Sequence, residues 1–415
     1  MPQTILRHAR LALVLSLAMV FAAGQGLTEK EVISQFLSEH PQSKELQAAV
    51  ALMRAETHSW TLWPNPSVSF SREGAGLAEF VQAQQQLPIN GRLQWLRQAG
   101  EAAVRSVQSE GEGNRWQAIS MIRLAFFDLL AAQERQAAIQ SSMQRLKEVL
   151  RILGEREREG EGSTYDRLRA ERELSELGTD LAVSVASAEQ SRGRLAAYIS
   201  PGRQGGPPFQ AVGNLRSRAA LPPLAEMLRL ATEAHAELKA QKHLQQQLIY
   251  QGRAAERLRI PDPIVAIGVK RGELGPGDTA LGSYVAVTIP IPIFNRGTTE
   301  VERFRAEAER AVARREILER RIRGEIAGLY AALEARRAVA MDYSNRIAAQ
   351  GEQLETITRT AYEENELGIL GLLDSLRVSA QARMRLIDLN AAAKLVELEL
   401  EQAAGAPILN PEVMP

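Results

Sequence analysis

The sequence predicts a mainly α-helical fold with a small β part, built from two copies of one strand–strand–long-helix unit. Three observations predict it: two long segments with apolar residues at helical spacing, four short segments of alternating residues, and one order of motifs that occurs twice. The chain has 415 residues, of which 45% are hydrophobic and 24% charged. It therefore has enough apolar material to fold, and it exceeds the ~250–300 residues of a single core.

The charge and cysteine counts exclude several function classes. Fifty basic residues balance fifty acidic ones, so the chain has no overall field that would attract nucleic acid. The absence of cysteine excludes disulfides, thiolate metal sites and cysteine nucleophiles. The five histidines are scattered, and no Ser/His/Asp set lies in a recognisable nucleophile turn. We therefore expect no enzyme activity, no cofactor, no resident metal and no nucleic-acid partner.

The first 24 residues have the parts of a secretory signal peptide. Arg7 and Arg10 precede an apolar run over residues 11–23, and the small residues Ala22-Ala23-Gly24 close it. The alternative is a membrane anchor, but the run is shorter than the ~20 apolar residues of a spanning helix. We expect cleavage near residues 22–24 and an exported mature chain.

The same motifs recur in both halves of the chain, in the same order. Residues 25–200 form the first predicted repeat, residues 201–213 a Gly- and Pro-rich linker, residues 214–405 the second repeat, and residues 406–415 a tail. The matching segments are Pro64-Asn65-Pro66 with Pro261-Asp262-Pro263, Leu87-Pro88-Ile89 with Ile291-Pro292-Ile293, and Glu159-Gly160-Glu161 with Glu364-Asn365-Glu366.

Each repeat begins with two predicted strands, at residues 66–72 and 79–87 in the first and 262–271 and 283–292 in the second. Alternation is clearest in the second repeat, and the strands approach the ~9–11 residues that cross a bilayer. One face carries Val265, Ile267, Val269, Val285, Val287 and Ile289, and the other carries Ala266, Ala286 and Thr288.

Long helical hairpins follow the strands, at residues 91–199 and 298–403. Residues 298–364 contain no proline and predict one uninterrupted helix, whereas residues 111–114, Gly-Glu-Gly-Asn, mark a weak point in the first hairpin. Gly160 and Asn365 lie at matching positions where each hairpin must reverse, and both residue types accept the left-handed conformation of a helix C′ position. An ordinary soluble coiled coil would also explain these helices, though not the strands.

Membrane insertion of these strands would require several chains. An open sheet leaves edge N–H and C=O groups unsatisfied in lipid, and four strands are too few to close a barrel, since the smallest have about eight. The alternative, a small soluble sheet packed on the helices, stays open at this point.

The motifs around the strands resemble those of a known family. They are Leu62-Trp63-Pro64-Asn65-Pro66 before a strand, Gln86-Leu87-Pro88-Ile89 before a helix, and the segment 288–296, Thr-Ile-Pro-Ile-Pro-Ile-Phe-Asn-Arg. They resemble the outer membrane factor (TolC) family of Gram-negative export ducts, and within it the CzcC-type heavy-metal-efflux component. The resemblance covers nearly the whole mature chain.

The resemblance implies a homotrimer in the outer membrane that forms a 12-stranded β-barrel continued by a periplasmic α-helical barrel. It also implies a passive efflux duct for metal cations or drugs, served by a periplasmic adaptor and an inner-membrane pump of the RND type. The alternative function is a soluble periplasmic coiled-coil scaffold or adaptor without a pore. Fractionation with outer membranes or with the soluble periplasm distinguishes the two.

The resemblance also implies a gate at the two hairpin turns. Tyr362 matches a tyrosine that latches the closed state, Asp166 matches its partner aspartate, and Asp374 matches one of two aspartates around the tunnel mouth. Two positions depart from the family pattern: Leu367 replaces a latch arginine and Gly371 replaces the other aspartate. Asp374 could equally be an ordinary carboxylate at a helix N-terminus.

Overall fold

The computed structural model describes residues 26–39, 41–74, 78–199, 209–218, 220–275, 278–364 and 366–413. The predicted signal peptide, residues 201–208 of the predicted linker, and Asn365 lie outside them. The structure confirms a mainly helical fold with a small sheet. The elements are β1 (Gly26–Leu27), α1 (Glu29–Glu39), α2 (Gln42–Ser59), β2 (Ser67–Glu73), β3 (Ala78–Gln86), α3 (Arg92–Arg158), α4 (Thr164–Ile199), β4 (Gln210–Ala211), α5 (Leu224–Ala234), α6 (Ala236–Glu256), β5 (Ile264–Gly275), β6 (Asp278–Thr288), α7 (Thr298–Tyr343), α8 (Ala349–Glu363) and α9 (Ile369–Ala404).

The chain divides into two compact units, and each takes residues from both predicted repeats. The sheet unit comprises residues 42–114 and 235–321, and the helical unit comprises residues 1–41, 115–234 and 322–415. No helix among the described residues combines the length and the apolar character needed to cross a membrane.

In the sheet unit, α3 runs without a break through residues 111–114, where the sequence suggested a weak point. Gly111 permits close packing of α2 against α3, because a Cβ on this residue would lie 1.9 Å from Leu46 Cδ1 of α2. Three turns earlier, a Cβ on Gly100 would lie 2.7 Å from Thr57 Cβ. Both glycines therefore let α2 approach the α3 backbone, which outweighs their low helix propensity.

The prediction of one uninterrupted helix over residues 298–364 is wrong at one place. After α7 ends at Tyr343, the segment Ser344–Ala348 forms a π-helix before α8 begins at Ala349. A π segment carries i→i+5 hydrogen bonds and shifts the following helix face relative to the preceding one. Apolar spacing alone does not reveal such a change in hydrogen bonding.

The four long strands form one antiparallel sheet in the order β2-β3-β5-β6. The hairpins β2–β3 and β5–β6 each come from one repeat, and β3 pairs with β5 to join them. The register aligns Val68 with Ala83, Ala83 with Ile267, and Ile267 with Val285. Residues aligned in this way point to the same side of the sheet.

The turns from strand to long helix have the same hydrogen bonds in both repeats. Asn90 Oδ1 accepts from the Arg92 N–H at 2.9 Å, and Asn295 Oδ1 accepts from the Gly297 N–H at 3.0 Å. Gly91 and Gly297 have φ of 76° and 77°, a left-handed conformation that glycine adopts at little cost. The duplication predicted from the sequence thus extends to the hydrogen bonds of these turns.

A buried ionic network stabilises the helical unit at the end of α9. Arg123 of α3 is 1% exposed, with Nε 2.5 Å from Glu29 Oε1 and Nη1 2.7 Å from Glu401 Oε2. Glu401 Oε1 also accepts from the N–H groups of Leu409 and Asn410, at 2.8 and 2.9 Å. These bonds attach both ends of the described chain to α3 and α9.

Glu397, one turn earlier on α9, forms a second buried centre. Its Oε1 lies 2.6 Å from Lys394 Nζ and its Oε2 lies 2.8 Å from Arg337 Nη2, while Ser217 and Asn410 also donate to it. Burial raises the pKa of Glu397, but the charge of Lys394 and these hydrogen bonds outweigh that effect and lower the pKa to about 2. The carboxylate is therefore ionised at every physiological pH.

Replacing Glu397 with Gln should destabilise the protein at neutral pH by ~3–5 kcal/mol, because Lys394 and Arg337 lose their buried partner. Because the folded-state pKa is depressed, this stabilisation is complete above the unfolded-state pKa of ~4.3 and disappears as the pH falls toward ~2. The difference in thermal midpoint between wild type and Glu397→Gln, measured by circular dichroism, should therefore shrink from pH 5 to pH 2.

The matched control is Glu176→Gln, because Glu176 is 61% exposed and pairs with Arg172, which is itself exposed. Its thermal midpoint should follow that of wild type at every pH. A difference for Glu397→Gln that stays constant down to pH 2 would contradict the assignment.

Candidate functional site

The sheet has one face of exposed apolar side chains, here called the apolar face. Val68, Val285 and Val287 are 76%, 73% and 61% exposed, although side chains of this kind are normally buried. The register places all members on the same side of the sheet. The apolar face consists of Val68, Phe70, Val81, Ala83, Val265, Ile267, Val269, Val285 and Val287.

Charged residues border the apolar face toward the two hairpin turns. Arg72 pairs in register with Glu79, and Glu79 pairs with Arg271, so the three lie in one row across β2, β3 and β5. Arg72 Nε lies 3.8 Å from Glu79 Oε1. The side of the sheet that is apolar in its middle therefore becomes charged near the turns.

The opposite side of the sheet, here called the polar face, carries mostly small and uncharged polar groups, with Ile264 as an apolar member and with charged residues, among them Glu73, Lys270 and Asp278, toward the hairpin turns. The three residues predicted for this face lie on it: Ala266, Ala286 and Thr288. Its other members include Ser67, Ser69, Ser71, Phe80, Gln82, Gln84, Gln86, Gly268, Lys270, Gly282 and Tyr284.

Within the described residues, β2 and β6 are the edges of this sheet. Each pairs with one neighbour, β2 with β3 and β6 with β5. Half of the backbone N–H and C=O groups of each edge strand therefore point away from the sheet. In water the exposed apolar face is unfavourable, and in lipid the two unpaired edges leave backbone groups without hydrogen-bond partners.

The turn between α3 and α4, in the helical unit, has the predicted left-handed glycine. Gly160 has φ of 79°; its N–H donates to Glu157 C=O at 3.2 Å, and the Glu161 N–H donates to Arg156 C=O at 2.9 Å. This pair of bonds is a Schellman motif. Glu157 also accepts from Thr164 and Arg167 of α4, each at 2.6 Å.

The turn between α8 and α9 has a corresponding backbone bond. The Glu366 N–H donates to Ala361 C=O at 2.8 Å, and these residues match Glu161 and Arg156 in the repeat alignment. Asn365, the predicted left-handed residue, lies outside the described residues. Its role as a tip-turn residue stays a prediction.

Tyr362 lies in an apolar cluster in which both hairpins of the helical unit take part. Its side chain is 7% exposed, and the Arg156 guanidinium carbon lies 5.1 Å from its ring centroid. The cluster, here called the tip cluster, consists of Leu146, Val149 and Leu153 of α3, Ala170 of α4, Tyr362 of α8, and Ile369, Leu372 and Leu373 of α9.

The structure does not bring together all of the predicted gate residues. Within the described residues, no hydrogen bond joins Tyr362 to Asp166, whose backbone N–H donates to Ser163 C=O at 3.0 Å in the first turn of α4. Asp374 is 63% exposed and pairs with Arg377 of the next turn at 3.0 Å. Tyr362 thus contacts Arg156 and apolar groups instead of a carboxylate.

The two departures from the family pattern occupy one site. A Cβ on Gly371 would lie 2.7 Å from Leu367 Cδ2 and 2.8 Å from Leu367 Cγ. The Leu367 side chain therefore fills the space where position 371 would carry a side chain. Leu367 and Gly371 are compatible as a pair, and an aspartate at 371 would displace the leucine.

A further contact, which was not predicted, joins α8 to α3. Arg145 Nη1 donates to both carboxylate oxygens of Glu355 at 2.9 Å, while Ser379 and Arg383 of α9 donate to Glu355 at 2.8 and 3.4 Å. These residues line a groove of about 680 Å³. No spacing rule predicts a pair so far apart in the chain.

The comparison of sequences gives one informative relative, and no family model matches the chain. The chain is 28% identical over 314 residues to the cobalt-zinc-cadmium resistance protein CzcC of Cupriavidus metallidurans, covering 73% of this chain and 72% of the relative. This likeness agrees with the CzcC-type resemblance of the strand and helix motifs.

Solved structures decide the fold. The chain matches CusC, a transmembrane channel, with a TM-score of 0.70 at 17% identity over 91% of this chain and 92% of that one. The fold is that of an outer-membrane channel. It also matches the open state of the MtrE outer membrane channel of Neisseria gonorrhoeae (0.67, 18%, 91% and 89%) and the outer membrane protein VceC of Vibrio cholerae (0.67, 15%, 91% and 96%). The resemblance predicted from the motifs is confirmed.

Proposed function

We propose that this protein is the outer-membrane channel of a tripartite efflux system, a passive duct that carries solutes to the cell exterior. The observation that carries the proposal is the sheet with an exposed apolar face, a polar face and two unpaired edges. Such a sheet is stable when the apolar face contacts lipid, the polar face contacts water, and the backbone groups of both edges form hydrogen bonds with further strands. A soluble scaffold or adaptor would leave the apolar face in water.

Closure of the sheet requires other copies of the chain. Twelve strands from three chains make a closed barrel in which β6 of one chain pairs with β2 of the next. That pairing satisfies the backbone groups that the single chain leaves open. Hence association with other copies follows from the same two edges that make the single chain incomplete, and three copies give the twelve strands of the proposed barrel.

Cysteine cross-linking tests this arrangement directly, because the natural chain has no cysteine. Val285→Cys of β6 should be combined in turn with Val68→Cys or Phe70→Cys of β2, which point to the same side of the sheet. At least one pair should give covalent dimers and trimers, and no larger species, after oxidation in the outer membrane. Each single-cysteine variant is the control and should give no trimer. Oxidised pairs that remain monomeric throughout would rule out the trimeric barrel.

The facing of the strands has its own test in two neighbouring residues. Val287 lies on the apolar face and Thr288 on the polar face, and both are exposed. Val287→Arg puts a charge in lipid, at a cost that rises to ~2–4 kcal/mol at the midplane, and should lower the amount of assembled protein in outer membranes, whereas Thr288→Arg should cost much less. Equal amounts of both variants in purified outer membranes would refute the assignment.

The partners follow from the proposed duct. We infer that most of the chain lies in the periplasm of a Gram-negative bacterium, where an adaptor protein connects it to an inner-membrane pump of the RND type. The duct itself uses no energy and performs no chemistry. Heavy-metal cations are the cargo class suggested by the resistance protein CzcC, and drugs are the other class.

We also propose that the two hairpin turns form the periplasmic gate, with Tyr362, Asp166, Asp374, Gly160 and Asn365 as its residues. The packing of Tyr362 supports a closed state held by its ring in the tip cluster. The Arg145–Glu355 pair supports the same state, because it attaches α8 to α3 through two charge-assisted hydrogen bonds. Asp374 of three chains would place like charges near the axis and favour opening.

Removing the Tyr362 ring should therefore open the gate more than removing its hydroxyl. In planar bilayers, Tyr362→Ala trimers should show a higher single-channel conductance than wild type, because the cluster loses its largest member. Tyr362→Phe combined with Asp166→Ala keeps the ring and should raise the conductance less. If the double variant opens as fully as Tyr362→Ala, the latch is a polar contact and the ring is not what closes the gate.

A further inference from the structure

The two hairpins of the sheet have the same register. Ser67 in the first repeat and Ile264 in the second each follow the matched Pro-Asn-Pro or Pro-Asp-Pro motif. Gln84 and Thr288 each lie four residues before the proline of the matched Leu/Ile-Pro-Ile segment. Ser67 pairs with Gln84, and Ile264 pairs with Thr288. The repeats therefore match strand for strand, β2 with β5 and β3 with β6.

The segments that follow β3 and β6 also match in their backbone bonds. The Ile89 N–H donates to the Leu87 C=O at 2.8 Å, and the Ile293 N–H donates to the Ile291 C=O at 2.9 Å. Leu87 and Ile291 therefore occupy equivalent positions, and a contact made by Leu87 has a counterpart at Ile291.

The junction between the two repeats of one chain shows how such hairpins pair side by side. There β3 pairs with β5, with Ala83 opposite Ile267. Beyond the strands, the Leu87 N–H donates to the Pro263 C=O at 2.9 Å. Among the described residues, the counterparts of these two strands, β6 and β2, are the edges of the sheet. The two edges therefore carry the matched halves of a second junction.

We propose that β6 of one chain pairs with β2 of the next chain in the register of the β3–β5 junction. This inference rests on the proposed function, because the two edges meet only between copies of the chain. The register places Val287 opposite Phe70 of the next chain, as Ala83 lies opposite Ile267 within the chain. Both Val287 and Phe70 belong to the apolar face. A slip of one residue would set apolar side chains beside polar ones.

The prolines beyond β6 agree with this register. The Ile291 N–H, the counterpart of the Leu87 N–H, would donate to the Pro66 C=O of the next chain. Pro290 and Pro292 lie on either side of Ile291. Only every second residue of an antiparallel strand bonds to a given neighbour. The N–H groups that these prolines lack would therefore point away from the next chain, and the junction loses no bond.

A cysteine scan along β6 tests the register. Phe70→Cys should be combined in turn with Ser283→Cys, Val285→Cys or Val287→Cys, three positions on the same side of the strand. After brief oxidation of outer membranes, the Val287 pair should give about threefold or more covalent trimer than the Ser283 pair, with the Val285 pair between them. The reason is that a disulfide requires Cα atoms within ~4.4–6.8 Å, which directly opposite residues satisfy best.

The corresponding pair inside the chain, Ala83→Cys with Ile267→Cys, is the control for oxidation. It should form a disulfide within the monomer, measured as loss of maleimide labelling, and give no covalent trimer. A trimer yield that peaks at Val285 or Ser283 would overturn this register and leave the proposed trimer standing. If the control pair oxidises and none of the three β6 pairs gives cross-linked species, the proposed function and this inference both fail.

Discussion

Every backbone N–H and C=O group that leaves water needs another partner, and the sheet of this protein leaves two rows of them open along β2 and β6. Because Val68, Val285 and their neighbours make one face apolar and exposed, water is a poor solvent for that face. Lipid suits the face but cannot bond the edges. Pairing between copies satisfies both demands, and for this reason the proposed trimer, membrane location and duct all depend on this constraint.

The two repeats share local hydrogen bonds at their turns. At the strand-to-helix turns, Asn90 and Asn295 each accept a backbone N–H from two residues later, and a left-handed glycine lies one residue after Asn90 and two residues after Asn295. At the hairpin turns, the N–H of Glu161 donates to the C=O of Arg156, five residues earlier, and the N–H of Glu366 donates in the same way to the C=O of Ala361. These hydrogen bonds are thus shared by the two repeats, although the left-handed glycines of the strand-to-helix turns lie at different positions.

The helical unit differs from the family pattern at the proposed gate, and the differences agree with one another. Leu367 lies where Gly371 leaves space, and Tyr362 is buried among apolar groups beside Arg156. The charged contact between these helices is formed instead by Glu355, which accepts hydrogen bonds from Arg145, Ser379 and Arg383. This proposed gate therefore combines apolar packing at the turns with a multiply bonded carboxylate farther along α8.

The sequence by itself determined the helices, the strands, their two faces and the turn at Gly160, because these depend on residue periodicity and local backbone preference. The alternation of Val265, Ile267 and Val269 was enough to predict that these three residues share one side of β5. Tertiary structure decided what distant residues do to one another. The close contact of Leu46 with Gly111, the buried bonds of Glu397, the place of Tyr362 in the tip cluster and the position of Lys270 over Phe80 join segments that no local pattern relates. Packing and electrostatics act through space, so only the folded chain specifies these contacts.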